Sequence, residues 1–196
     1  MNLEIFTQSM KLIDEANRQD PNLEKDRAGS DAPKELLYSQ RMSSSLTAFN
    51  PKASVHLQLA CRAQHIERWK SPRSDYPAGR NGYNKWRAEL RLFHAKRAGE
   101  CMLEAHAEQE DIDRVKFLVQ KRHMKLDAES QCLEDVVCLT FLQYYLEGFA
   151  KKHEELKLID IIQKTWKKMS DEGQQAALKL PLAENMLSLI VKALGI

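Results

Sequence analysis

Apolar residues recur every three or four positions along most of the chain, and this spacing is typical of amphipathic α-helices. The first apolar stripe runs from Leu3 to Ile13. Its helix is predicted to stop before Pro21, because the residue that precedes a proline avoids the helical region. The polar residues 22–33 are rich in turn formers and are predicted to be a loop.

The same periodicity continues to the end of the chain. It predicts further helices at about residues 33–49, 53–69, 83–107, 111–123, 131–149, 155–169 and 182–194. The segment 131–149 is apolar on all sides, so it is predicted to lie at the centre of its domain. The stretch from Pro72 to Gly82 is predicted to be a loop, because its prolines and glycines break a regular helix.

These elements predict an all-α fold. We expect a single helical domain over residues 1–196, a multi-helix bundle of about seven to nine helices. Within it, residues 1–33 would form an N-terminal helix and loop that pack on the rest. The seven glycines and six prolines are too few for a sandwich or barrel with many tight turns.

The composition is that of a folded protein without a strong overall charge. Hydrophobic residues make up 43% and charged residues 30%, which is ordinary for a globular chain. The 30 basic and 28 acidic residues give a net charge of +2. No global field therefore draws the chain to nucleic acid or to a membrane, and any anion site must be local.

The cysteines and the N-terminus predict a cytoplasmic protein. None of the four cysteines forms a CxxC pair and each has an apolar helical context, so all four are predicted to be buried thiols. The first residues lack a basic region followed by an apolar core, so no secretory signal is predicted. No apolar stretch approaches the ~20 residues that cross a bilayer.

Ionisable residues lie on three helical faces that are predicted to be buried. These residues are His65, His94 and the adjacent pair Glu134 and Asp135. Buried carboxylates are costly unless they are paired, hydrogen-bonded or bound to a metal. Two imidazoles with one or two carboxylates suit a divalent Mn, Fe, Co or Zn ion.

Two of these segments resemble helices of the HD superfamily of metal-dependent phosphohydrolases, whose ligands run His, His-Asp, then Asp. Residues 90–95 resemble the helix with the His-Asp pair, and residues 133–136 resemble the helix with the final Asp. Ala95 stands where the superfamily has Asp. Glu134 is therefore the candidate for the missing fourth ligand.

The HD resemblance implies an HD-like bundle and a metal-dependent phosphohydrolase. His65, His94 and Asp135 would hold the metal, with Glu134 as a fourth ligand or general base. A metal-bound hydroxide would attack a phosphate ester. The expected substrate is a nucleotide or another small phosphorylated metabolite, so the expected partner is a small ligand rather than nucleic acid or a membrane.

Three arginines are candidates for binding the substrate phosphate. Arg73 and Arg80 lie in the predicted loop, and Arg87 lies near the start of the next predicted helix. The free N–H groups at that helix N-terminus, near Tyr83, would also favour an anion. An ordinary solvated or ion-paired surface is the alternative for these arginines.

A second set of short motifs runs through most of the chain from about residue 38 onward. They are Ala63-Gln64-His65-Ile66, Arg68-Trp69, Pro72-Arg73, Tyr76-Pro77, Gly82-Tyr83, Trp86-Arg87, Phe93-His94-Ala95, Leu133-Glu134-Asp135-Val136, Lys164-Thr165-Trp166 and Lys168-Met169-Ser170. These motifs resemble a family known only as a domain of unknown function. Some of its members carry a glutamyl-tRNA synthetase label, which we set aside because the chain has no Rossmann pattern or nucleotide-binding motif of a synthetase.

Two other hypotheses remain open at this stage. The chain could be a module that binds an anionic ligand or an RNA phosphate without turnover, through the basic segment 73–87. It could also be a structural protein whose His65, His94 and Asp135 lie too far apart to share a ligand. In that case the histidines would be hydrogen-bonded core residues, and the acids would pair with arginines such as Arg62, Arg68 or Arg87.

Overall fold

A computed structural model describes residues 1–123 and 126–195. Within these residues the structure contains ten α-helices and one small hairpin, beside short 3₁₀ and π-helical turns. This confirms that the chain is mostly helical, whereas the predicted all-α class did not include the hairpin. The helices are α1 (Leu3–Arg18), α2 (Lys34–Phe49), α3 (Val55–Arg62), α4 (Gly79–Glu104), α5 (Gln109–Val119), α6 (Ala128–Thr140), α7 (Leu146–Ala150), α8 (Glu155–Trp166), α9 (Asp171–Ala177) and α10 (Glu184–Leu194). None of these described helices is both long and apolar enough to span a membrane.

A two-stranded hairpin replaces part of the loop predicted at residues 22–33, so that prediction is wrong there. Strand β1 (Leu23–Lys25) pairs antiparallel with β2 (Asp31–Pro33). The Asp26 carboxylate accepts hydrogen bonds from two amides of the intervening turn, at 2.8 and 2.9 Å. Hydrogen bonds from backbone amides to an Asp side chain stabilise a tight turn. The hairpin can therefore form without the alternation of apolar and polar residues that would have predicted its strands.

Contacts within the chain group its residues into two compact units. The first unit, Met1–His123, contains α1 to α5 and the hairpin, and the second contains α6 to α10. In the first unit, α4 packs against α1 and α5, and α2 packs against α3. Its fully buried side chains include Ile13, Met42, Leu46, Leu57, Ile66, Met102 and Leu118.

The predicted helix 53–69 is shorter than expected, because α3 ends at Arg62. Glu67 has a left-handed backbone with φ of 52°, which a regular helix cannot continue through. The Glu67 amide donates to Asn17 Oδ1 on α1 at 2.9 Å. His65 therefore lies in a turn that a tertiary contact holds in place, and not on a helix face.

Helix α4 begins inside the predicted loop 72–82. Gly79 takes a φ of 83° at the first helical position, where L-residues are strained. A Cβ on Gly82 would lie 1.9 Å from the Pro77 carbonyl oxygen, so only glycine allows this close approach. The Arg73 guanidinium donates to the carbonyls of Tyr76 and Pro77, both at 2.8 Å, and so the loop is closed against the start of α4.

The second unit differs from prediction in two places. The predicted helix 131–149 is divided into α6 and α7 by one π-helical turn, Phe141–Tyr145. Helix α9 was not predicted, because its short sequence lacks an apolar stripe. Helix α6 packs on α9, and α8 packs on α10. The core of this unit includes Leu133, Val136 and Leu146, each with no exposed surface.

Candidate functional site

His65 is held by neighbours on several sides. Its ring stacks on Tyr38 of α2 with centroids 4.0 Å apart and planes 12° apart. Its Nε2 lies 3.1 Å from Arg68 Nη1, and since a guanidinium can only donate, Nε2 must be the acceptor. The ring proton is then on Nδ1, which faces Glu35 Oε2 at 3.4 Å. The stacking and these two contacts together select the ring orientation and the tautomer.

His94 on α4 lies close to His65, with ring centroids 5.9 Å apart. Its Nδ1 is 2.8 Å from the Ile66 carbonyl oxygen, so Nδ1 carries the proton. Burial lowers the pKa of His94 to about 3, although the hydrogen bond to Ile66 opposes this shift. Among the described residues, the buried Nε2 has no hydrogen-bond partner. It is therefore a neutral ring nitrogen with an unused lone pair.

Glu35, in the first turn of α2, is an acid beside these rings. The residue is only 4% exposed, and burial raises the pKa of its carboxyl to about 7, against the lowering effect of Arg68 and Lys34. Its backbone amide donates to Asp20 Oδ2 at 3.0 Å, which holds the start of the helix. Glu35 is thus a carboxyl that exchanges its proton near neutral pH.

Several cations surround His65. Burial comes first among the causes that hold the pKa of His65 well below its usual range, and the charges of Arg68, Arg87 and Lys121 lower it further. The Arg68 guanidinium carbon lies 4.9 Å from the ring centroid of Trp86. Burial lowers the pKa of Arg68 and the Arg87 charge adds to this effect, whereas the Glu35 charge raises it. We call His65, His94, Arg68 and Arg87 the histidine–arginine cluster.

Arg87 is the cluster member with the fewest partners. Its side chain is half-buried on α4, and no hydrogen bond or ion pair joins its guanidinium to any residue within 1–123 or 126–195. The other two predicted phosphate ligands lie elsewhere. Arg73 donates to carbonyls of its own loop and Arg80 is exposed on the first turn of α4. Phosphate binding by these two arginines stays a prediction.

Asp135 belongs to a tight hydrogen-bond group in the second unit. Its Oδ1 accepts from the Ser170 amide at 2.8 Å and from Gln131 Nε2 at 3.2 Å. Its Oδ2 accepts from the Ser170 hydroxyl at 2.7 Å, and Ser170 Oγ in turn caps α9 through the Gly173 amide at 3.0 Å. Burial raises the pKa of Asp135, and the bonds from Ser170 oppose that shift. In this structure Asp135 thus anchors the start of α9.

Glu134, beside Asp135, is buried with its Oε1 4.0 Å from Lys168 Nζ. The structure brings His65 and His94 together in the first unit, whereas Glu134 and Asp135 lie in the second. Among the described residues, no three His, Cys, Asp or Glu side chains are grouped as a metal ion would need. A shared metal site of these four residues stays a prediction.

A family model described as "Domain of unknown function (DUF4202)" matches residues 7–190. The chain belongs to the DUF4202 family. No curated protein and no solved structure matches it. The family assignment confirms the resemblance to a domain of unknown function. The HD resemblance and the glutamyl-tRNA synthetase label receive no support from these comparisons.

Sequence reasoning missed two residues that contact or adjoin His65 in this DUF4202 chain, Glu35 and Tyr38, and considered Arg68 only as a salt-bridge partner. Glu35 and Tyr38 are three residues apart in α2, which places them on one helix face. A charged residue directly before the apolar run Leu36–Tyr38 was the available signal. Arg68 follows His65 by three residues in a turn, so no helical periodicity could have paired them.

Proposed function

We propose that the histidine–arginine cluster binds a small phosphorylated metabolite. The observation that supports this proposal most directly is the position of the Arg68 guanidinium, 3.1 Å from His65 Nε2 and 4.9 Å from the Trp86 ring centroid. The Arg87 charge lowers the pKa of this guanidinium, and the Glu35 charge raises it. Two like charges disfavour each other unless an anion lies beside both. Within the described residues, no carboxylate forms an ion pair with Arg87, so a ligand is a suitable counter-ion.

The kind of side chain favours phosphate among the anions. A guanidinium is a planar fork that matches two oxygens of a phosphate, and such charge-assisted pairs are stronger than neutral hydrogen bonds. Lys121 adds a third positive charge near His65. The whole chain has a net charge of only +2, so this local accumulation of cations is a property of the site and not of the composition.

Calorimetric titration with inorganic phosphate and with ribose 5-phosphate at low ionic strength tests this proposal. We expect Arg87→Gln to weaken binding of both by at least about tenfold, because a hydrogen bond to a charged group contributes ~1.5–3 kcal/mol. The matched control is Arg91→Gln, since Arg91 is an exposed arginine on the same helix and should leave the affinity within about twofold.

Two results would contradict phosphate binding at the cluster. One is a wild-type chain that binds neither compound at low salt. The other is an equal loss of affinity in Arg87→Gln and Arg91→Gln, which would indicate a diffuse charge effect. Circular dichroism of each variant establishes that the helical fold is retained.

A second candidate function is the metal-dependent hydrolysis of such a phosphate ester, and it has one observation of its own. The Nε2 lone pair of His94 is buried and unused among the described residues, and a neutral imidazole nitrogen of this kind is a common metal ligand. In this proposal His65, His94 and Asp135 hold a divalent Mn, Fe, Co or Zn ion, with Glu134 as a fourth ligand or general base, and His65 Nε2 exchanges its Arg68 contact for the ion. Water bound to such an ion ionises near neutral pH and can attack a phosphate ester.

A further inference from the structure

Tyr83 places a half-exposed aromatic ring next to the histidine–arginine cluster. Its side chain is 49% exposed, and its ring centroid lies 5.8 Å from that of Trp86 at an angle of 56°. The same Trp86 ring lies under the Arg68 guanidinium, at 4.9 Å. Tyr83 is also close enough to Arg68 to influence the pKa of that guanidinium.

The geometry of α4 puts this ring beside the proposed phosphate position. Tyr83 and Arg87 are four residues apart in the helix, so their side chains lie on the same face, one turn from each other. Trp86 is 8% exposed and its Nε1 donates to the Ser71 carbonyl at 2.9 Å. Trp86 is therefore a fixed support, and Tyr83 is the ring that remains accessible.

We propose that the ligand of the cluster is a nucleotide, whose phosphate contacts Arg68 and Arg87 and whose base stacks on Tyr83. This inference rests on the proposed phosphate binding. Every base has an aromatic face, so stacking on a tyrosine accepts different bases and raises affinity by roughly tenfold per base. A half-exposed ring beside a local group of cations fits a mononucleotide, which presents one base next to its phosphate.

The test compares AMP with ribose 5-phosphate by calorimetric titration at low ionic strength. The wild-type chain is expected to bind AMP on the order of tenfold more tightly. Tyr83→Ala should remove this difference and leave the affinity for ribose 5-phosphate unchanged, whereas Tyr83→Phe should retain the difference. Leu92→Ala is the matched control, because Leu92 is a 58% exposed apolar residue of the same helix and should change neither affinity.

The outcomes separate this inference from the proposed function. Equal wild-type affinities for AMP and ribose 5-phosphate would overturn the base contact while leaving phosphate binding intact. Equal losses for both compounds in Tyr83→Ala would also overturn it. Binding of a single-stranded hexanucleotide RNA without binding of AMP would overturn the choice of a mononucleotide. If neither AMP, ribose 5-phosphate nor inorganic phosphate binds, the proposed function and this inference are both wrong.

Discussion

At the scale of single residues, burial shifts the pKa values of the site in opposite directions. The pKa of His94 falls to about 3 and that of Glu35 rises to about 7. Between about pH 3 and pH 6.5 the unfolded chain therefore binds a proton at His94 that the folded chain does not bind. Between pH 4.5 and 7 the folded chain holds a proton at Glu35 that the unfolded chain has lost. The two groups have opposing effects on the pH dependence of stability.

Replacing Glu35 with Gln should reveal how much Glu35 contributes to the pH dependence of stability. With a folded pKa above the unfolded value, Glu35 contributes stability that is fully present below pH 4.5 and is lost as the pH rises to about 7. Relative to wild type, Glu35→Gln should therefore gain about 2 to 3 kcal/mol in unfolding free energy from pH 4.5 to pH 8. Urea denaturation at these two pH values measures it.

The control for this prediction is Glu110→Gln, since Glu110 is an exposed acid of the same unit. Its effect on the unfolding free energy should be small at both pH values, as for most exposed side chains. A Glu35→Gln difference that is the same at both pH values would mean that the folded chain ionises Glu35 as readily as the unfolded chain does.

At the scale of secondary structure, replacing one glycine of α9 with alanine is expected to destabilise the chain, against the usual effect of this exchange in a helix. Exchange of glycine for alanine inside a helix usually stabilises by roughly 0.5–1 kcal/mol. A Cβ on Gly173, however, would lie 2.6 Å from Asp135 Oδ1 and would displace the carboxylate that binds Ser170. We expect Gly173→Ala to destabilise the chain by about 1 to 3 kcal/mol, measured by thermal or urea unfolding.

Gly148→Ala is the matched control in the same unit. Gly148 lies in α7, and a Cβ there would have no atom within 4 Å. It should therefore show the ordinary stabilisation. If both substitutions stabilise the chain, the contact between Asp135 and the start of α9 is not tight enough to exclude a methyl group.

Helical periodicity predicted the helices that bury a continuous apolar stripe. It failed where contacts outside such a stripe determine the residue at which a helix begins or ends. Helix α2 follows its apolar pattern to Phe49 as expected. The end of α3 at Arg62 depends instead on Asn17, a residue 50 positions from the Glu67 amide it binds. The early start of α4 depends on how closely Gly82 approaches Pro77. The first contact joins residues far apart in the chain, and the second is a close backbone approach that the spacing of apolar residues does not report.

The same limit applies to the candidate site at the scale of the whole molecule. His65 and His94 were chosen from sequence as buried imidazoles, and the structure places their rings 5.9 Å apart. Glu35 was missed because its link to His65 joins α2 to a turn after α3, 30 positions later. The opposite holds for Asp135, whose predicted burial is confirmed at 2% exposure while both its oxygens are hydrogen-bonded within the second unit.

Metal content tests the metal site proposed for His65, His94 and Asp135. The second candidate function predicts about one divalent ion per purified chain, and its loss in the double variant His65→Ala, His94→Ala. His106→Ala, which changes an exposed histidine of the first unit, should retain the metal. Stoichiometric metal in the double variant would defeat the assignment.

Asp135→Asn then decides whether Asp135 is one of the metal ligands. Asparagine keeps the size of the side chain, and its one carbonyl oxygen can accept from the Ser170 amide, while Ser170 Oγ still caps α9 through the Gly173 amide. Loss of metal in a variant that retains its helical circular dichroism is the expected result, because a carboxylate ligand contributes charge that an amide lacks. Metal that depends on the histidines but persists in Asp135→Asn would place the ligands in the first unit, where Glu35 is the carboxyl that lies against His65.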